Sequence, residues 1–155
     1  MPFVRRRTAK SGSISTALVE AYRDESGRPR QRILANLHGE PDTLRALAKL
    51  KYQQADLRKH RDSQWAEVQA SNEYEPDFVA EYFAELDADL AAIDKEISTL
   101  EQHCGATPAK IRAAIREHEK ALDDASTVAM GSLLYVAKHE KAYKAAKAAL
   151  RRLAR

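Results

Sequence analysis

The chain predicts an α+β fold: a small N-terminal three-stranded antiparallel β meander, followed by a mostly α, long antiparallel helical coiled coil or bundle. Short apolar-alternating segments separated by Gly-bearing turns fill the first forty residues. From Val79 onward, apolar residues recur in alternating steps of four and three, the heptad signature of knobs-into-holes packing. Charged residues make up 32% and aromatic residues 6%, with five Gly and five Pro, a profile of helices with wide solvated faces. At 155 residues the chain suffices for one domain, or for a small head on an elongated stalk.

Phe3 to Ala9, Ser13 to Arg23 and Arg28 to His38 read as strands. Ser11-Gly12 and Asp24-Glu25-Ser26-Gly27 supply the turns, since Gly tolerates positive φ and Asp and Ser bond locally to backbone. Connections this short require antiparallel neighbours. In the third strand, strict alternation puts Ile33, Ala35 and Leu37 on one face and Arg30, Arg32 and Asn36 on the other. In the middle strand Ile14, Leu18 and Tyr22 oppose Ala17, Val19 and Ala21. Three strands alone are marginal, so one face is expected to pack on the following helix.

His38-Gly39-Glu40-Pro41-Asp42 breaks the strand pattern, and Asp42 or Thr43 caps a helix over 43–71. Its buried stripe is Leu44, Leu47, Leu50, Leu57, Trp65 and Val68, interrupted by Gln54, Arg61 and Gln64. After the break from Asn72 to Pro76, Asp77 is placed to cap a second helix over 77–104. Its coiled-coil seam is Val79, Phe83, Leu86, Leu90, Ile93, Ile97 and Leu100, continuing to Cys104. Gly105 ends this helix, and Thr107-Pro108 starts the next. The four–three spacing then predicts a helix over 108–153, although Asp123-Asp124-Ala125-Ser126 offers a cap for a separate fourth helix, and Gly131 costs a continuous one roughly 1 kcal/mol. The reading thus divides the chain into a basic β head, 1–40, and a helical bundle, 41–155.

Charge is unevenly spread. Residues 1–40 hold eight of the 26 Lys+Arg and four of the 23 Asp+Glu, so the head is +4 in a chain of net charge +3. A partner feels that local charge. The head's cations, Arg5, Arg6, Arg7, Lys10, Arg23, Arg28, Arg30 and Arg32, are the candidate nucleic-acid-binding residues. Guanidinium groups grip phosphate through bidentate contacts, and a β-ribbon enters a major groove. The plainer alternative is a solvated sheet face whose arginines deter edge pairing. Tyr22 and His38 are placed to stack on bases, or simply to sit half-buried in the sheet. The guanidinium groups are expected to project together from one side.

Other signals point away from catalysis. The acidic exterior of the second helix, with Glu81, Glu85, Asp87, Asp89, Asp94, Glu96 and Glu101 against Lys95, reads as a solvated, charge-pairing face, because carboxylates there lack the desolvation that shifts a pKa. The basic terminal stretch from Lys138 to Arg155 is placed to add a second phosphate-binding stripe, or to pair with Glu81–Glu101 inside one chain or across a dimer. His103-Cys104 is too little for zinc. His118 and His139 fall at seam positions, where polar residues fix register. No nucleophile–base pair, Gly-rich phosphate loop or metal spacing is present, so no enzyme activity, cofactor, metal or small-molecule substrate is expected. The single cysteine fits a reducing compartment. No apolar run approaches the roughly 20 residues of a membrane span, and no secretory signal is apparent. A cytoplasmic protein without membrane partners is expected.

The run Leu18-Val19-Glu20-Ala21-Tyr22-Arg23, a short acidic-Gly turn, and Gly27-Arg28-Pro29-Arg30-Gln31-Arg32-Ile33-Leu34-Ala35-Asn36-Leu37 resembles the N-terminal region of DDE-type insertion-sequence transposases. In that family a similar pattern precedes the catalytic core. Phe3-Val4-Arg5-Arg6 and Lys10-Ser11-Gly12-Ser13 fit it too. The resemblance covers about the first 45 residues. His38 stands where the family has glycine, which falls here at Gly39, and the heptad-like remainder offers no counterparts to the family's catalytic acidic residues. What the resemblance implies is an end-recognising or accessory head detached from its chemistry.

The function expected from these readings is a non-enzymatic, DNA-binding accessory protein related to a transposase N-terminal region. Its coiled-coil stalk would serve a homodimer or dock on a coiled-coil protein partner. The alternatives are a protein–protein coiled-coil adaptor that never meets nucleic acid, and a transposase fragment without activity.

Overall fold

The structure, a computed structural model, describes residues 1–71 and 73–126. In chain order it contains β1 (Pro2–Thr8), β2 (Ile14–Arg23), β3 (Pro29–Asn36), α1 (Thr43–Ala70) and α2 (Pro76–Cys104), then α3, described over 108–126. The α+β class and the antiparallel meander, in the order β1-β2-β3, are as the sequence predicts. Met1–His118 form one compact unit. The rest of the predicted third helix, with Gly131, His139 and the choice between one helix and two, lies outside the described residues.

Local chemistry sets both hairpins. Gly12 and Gly27 sit at φ 83° and 76°, where a Cβ is disfavoured. The Asp24 carboxylate gathers the second turn, accepting from the Ser26 amide (3.0 Å), the Ser26 hydroxyl (2.7 Å), the Arg28 amide (2.9 Å) and Arg30 Nε (2.9 Å). At the exit from β3, Asn36 Oδ1 accepts from the His38 amide at 2.8 Å, and His38 takes a φ of 52°. That reversal turns the chain off the sheet towards α1. The Lys49 ammonium then donates to the His38 carbonyl at 3.0 Å.

One expectation fails at β3. Val19 pairs with Ile33, but Leu18 pairs with Ala35, so Leu34 is an extra residue in the ladder. A bulge of one residue reverses which face the flanking side chains take. Ile33 therefore parts from Ala35 and Leu37 and is 63% exposed, while Leu37 is fully buried. Asn36 likewise parts from Arg30 and Arg32. The middle strand keeps the alternation read from sequence.

Leu18, Leu37, Ala46, Leu47, Leu50, Ile97 and Leu100 form one core, with Leu34, Ala35, Ile93, Cys104 and Ile111 packed against it. Sheet and hairpin thus share a core, and the basic head is not a separate folding unit. Burying a side chain such as Leu47 or Leu100 contributes about 1.5–3 kcal/mol. Asp42 caps α1, its carboxylate accepting from the Arg45 amide at 2.8 Å. At α2 the expected cap is displaced: Glu75 is the N-cap, without a side-chain bond, Pro76 opens the first turn and Asp77 lies within it. Gly105 ends α2 in the left-handed region.

The helices α1 and α2 form an antiparallel hairpin. Arg61 Nε meets Asp87 at 2.5 Å, Gln54 bonds Asp94, and Lys51 meets Glu101 at 2.6 Å. Partner numbers on α2 rise as those on α1 fall. Of the residues predicted for the seam, Phe83, Ile97 and Leu100 are buried, and Val79, Leu86, Leu90 and Ile93 are half-buried. Gln54 and Arg61, which interrupt the α1 stripe, are thus answered by carboxylates of α2.

Candidate nucleic-acid interface

The β1–β2 and β2–β3 registers sort every head side chain onto one of two faces, since residues directly opposite in an antiparallel ladder share a face. The inner face carries Leu18, Ala35 and Leu37 towards the helices, and Arg6, Glu20, Tyr22, Arg30 and Arg32 further out. The outer face carries Phe3, Arg5 and Arg7 of β1, Ser15, Ala17, Val19, Ala21 and Arg23 of β2, and Gln31, Ile33 and Asn36 of β3. No acidic residue lies among these outer positions.

The eight predicted cations therefore do not project from one side. Arg5, Arg7 and Arg23 are outer, Arg6, Arg30 and Arg32 are inner, and Lys10 and Arg28 flank the turns. Period-two alternation alone separates Arg6 from its neighbours Arg5 and Arg7. Two inner arginines are already engaged. Arg30 Nε lies 2.9 Å from Asp24, and Arg32 Nη2 lies 2.5 Å from Glu20. The Arg32 guanidinium also lies over the Tyr22 ring, 5.9 Å from its centre. The Ser26 hydroxyl, above all, and the Arg30 guanidinium and Arg28 amide hold the Asp24 carboxyl below the usual carboxylate range. These contacts brace the second hairpin.

On the outer face, Arg5 Nη1 donates to Gln31 Oε1 at 3.1 Å. Arg5 stands opposite Ala17 and Gln31 opposite Ala21. The bond therefore crosses β2 diagonally above Val19, which is fully buried. Beside it, Arg5, Arg7, Ser15, Ala17, Ile33 and Asn36 line a shallow concavity of about 280 Å³. Among the described residues Arg7 has no carboxylate partner, and neither do Arg6, Lys10 or Arg28. Arg23 folds back on its own turn, donating to the Gly27 carbonyl at 2.8 Å. Phe3 and Ile33 add exposed apolar surface. The arrangement offers guanidinium donors for phosphate oxygens next to amide, hydroxyl and apolar contacts, without a competing negative charge.

Ser15, Gln31, Ile33 and Asn36 were not legible as companions of Arg5 and Arg7, because the grouping depends on the register and on the bulge at Leu34. His38 belongs to the inner side, where Nε2 lies 2.5 Å from Glu96. The His118 ring packs edge-on against Tyr52 at 5.4 Å. The acidic face of α2 draws partners from α1 and from His38: Asp87 with Arg61, Asp94 with Arg58, and Glu96 with His38. Among the described residues no cluster of His, Cys, Asp or Glu is arranged to hold a metal ion, and no helix is long and apolar enough to cross a membrane. No family model, curated protein or solved structure matches the chain.

Proposed function

We propose that this is a non-enzymatic, cytoplasmic, DNA-binding accessory protein that holds the phosphate backbone on the outer face of its sheet. One observation carries the reading: that face presents Arg5, Arg7 and Arg23 and no carboxylate, whereas Glu20 and Asp24 are engaged with the inner Arg32 and Arg30. Arg5 and Arg7 are the principal phosphate contacts, with Lys10 and Arg28 reaching from the turns. The resemblance of the head to transposase N-terminal regions supports DNA as the polyanion and a mobile-element protein as the wider context. The hairpin serves for docking to a larger partner. It is less suited to zipping with a second coiled coil, since Phe83, Ile97 and Leu100 are already buried within the chain.

The test is a gel-shift titration of the full chain across salt concentration. Counterion release predicts a log–log slope of about −0.9 for each phosphate neutralised. Absence of binding at low salt removes the proposal.

A further inference from the structure

We infer that the loop end of the α1–α2 hairpin is a docking site for a basic amphipathic segment of another protein, one that presents an apolar anchor flanked by lysines or arginines. The head's reading is not needed for this inference, which stands on the opposite end of the helices.

Exposed large apolar side chains gather at this end: Trp65 is 43% exposed, Tyr74 43% and Phe78 62%. They are not scattered. Trp65 meets Phe83 edge-on at 5.0 Å, Phe83 meets Tyr82 at 5.4 Å, and Tyr82 stacks on Phe78 at 6.4 Å. His60 fixes the Tyr82 hydroxyl at 3.1 Å. Beside this ladder, Trp65, Val68, Tyr74, Val79 and Phe83 line a cleft of about 460 Å³. A cleft walled by aromatic and aliphatic side chains is the form that hot-spot anchors fill.

Charge selects the occupant. From Asp62 through Asp94 the sequence contains ten Asp and Glu and not one Lys or Arg. Nearer the sheet the carboxylates of α2 are matched by α1, as in Asp87 with Arg61, Asp94 with Arg58 and Glu101 with Lys51. At the tip, Glu73, Glu75, Asp77 and Glu81 have no cationic partner among the described residues. Nucleic acid is repelled here, and so is the same tip of a second copy, because like charges oppose each other across an isologous contact. A cationic segment meets neither obstacle, and an arginine or lysine gains further by lying over Trp65. An amphipathic helix laid in an apolar groove is an established recognition mode.

Trp65 is the only tryptophan, so its emission reports the site in the intact chain. The probe is a synthetic lysine–leucine peptide of about 16 residues with leucines at i, i+3, i+4 and i+7. A saturable change in Trp65 emission is expected, tightening as salt is lowered. Phe78→Ser is expected to weaken it about tenfold or more with unchanged circular dichroism. Combined Glu73→Gln, Glu75→Gln and Asp77→Asn should flatten the salt dependence. The inference is overturned by unchanged emission at millimolar peptide, by an equal response to a peptide of the same composition with scrambled leucines, or by parental affinity in Phe78→Ser. Concentration-dependent emission with doubled mass in the absence of peptide overturns it as well, making a second copy the occupant.

Discussion

The Arg32 guanidinium lies 2.5 Å from the carboxylate of Glu20, the residue directly opposite it in the β2–β3 ladder. An exposed pair of this kind adds little to stability. For the proposed DNA binding it matters because it leaves Arg32 less available to an anionic polymer than Arg7, which has no such partner among the described residues. Each phosphate contact removed should reduce the salt slope of DNA binding by about one unit. Arg5→Ala with Arg7→Ala is therefore expected to flatten the slope by about two units, and Arg30→Ala with Arg32→Ala by less than about half a unit. Gel shifts of the two double variants across salt decide it, and the reverse ranking would move the interface to the inner face.

Much of this architecture was legible because turn chemistry and periodicity are local. Gly12, Gly27, Asp42 and Gly105 announce where elements start and stop, and the four–three spacing from Val79 to Leu100 marks the face that α2 turns inward. The grouping of the arginines was not legible. It depends on which residue stands opposite which, and Leu34 gives no local sign that it is the extra residue in its ladder. The tip was hidden for a related reason. Trp65 continues the apolar stripe of α1 and reads as buried, yet near the end of that helix it remains 43% exposed.

Thr16 points to a stability gain. The residue is 3% exposed, and Oγ1 has no hydrogen-bond partner among the described residues. A buried hydroxyl left unsatisfied carries a desolvation cost of about 1–3 kcal/mol. Thr16→Val replaces the hydroxyl by a methyl of similar volume and is expected to raise stability by about 1 kcal/mol. Chemical denaturation measures this directly. A loss of that size would show that the hydroxyl is hydrogen-bonded in solution.

Acid should loosen the second hairpin through Asp24. Hydrogen bonds from Ser26, Arg30 and Arg28 hold its folded-state pKa below the ordinary value. As pH falls, the unfolded chain binds the proton first. The contribution of Asp24 is therefore fully present above the unfolded carboxylate pKa of about 3.9 and is lost as pH drops through the lower folded value. Asp24→Asn is expected to be less stable than the parent near neutrality, with the gap shrinking below about pH 4. Urea midpoints of both proteins from neutral to acid pH would reveal it. A gap that stays constant would mean that the carboxylate charge plays no part in bracing the turn.

Gln54 and Arg61 are two of the three polar residues, with Gln64, that interrupt the apolar stripe of α1 between Leu47 and Val68. Each is matched across the hairpin, Gln54 by Asp94 and Arg61 by Asp87. Arg61 also reaches over the Phe83 ring, 5.8 Å from its centre, so its stem covers apolar surface while its charge is paired. Such polar positions fix the register and number of helices at some cost in stability. Replacing both by leucine leaves Gln64 as the one polar interruption between Leu47 and Val68 and removes two polar matches that distinguish α2 from a helix of another chain. The double variant Gln54→Leu with Arg61→Leu is expected to show a larger mass than the parent at equal concentration in light scattering. Equal masses would assign partner choice to the apolar packing of Phe83, Ile97 and Leu100 alone.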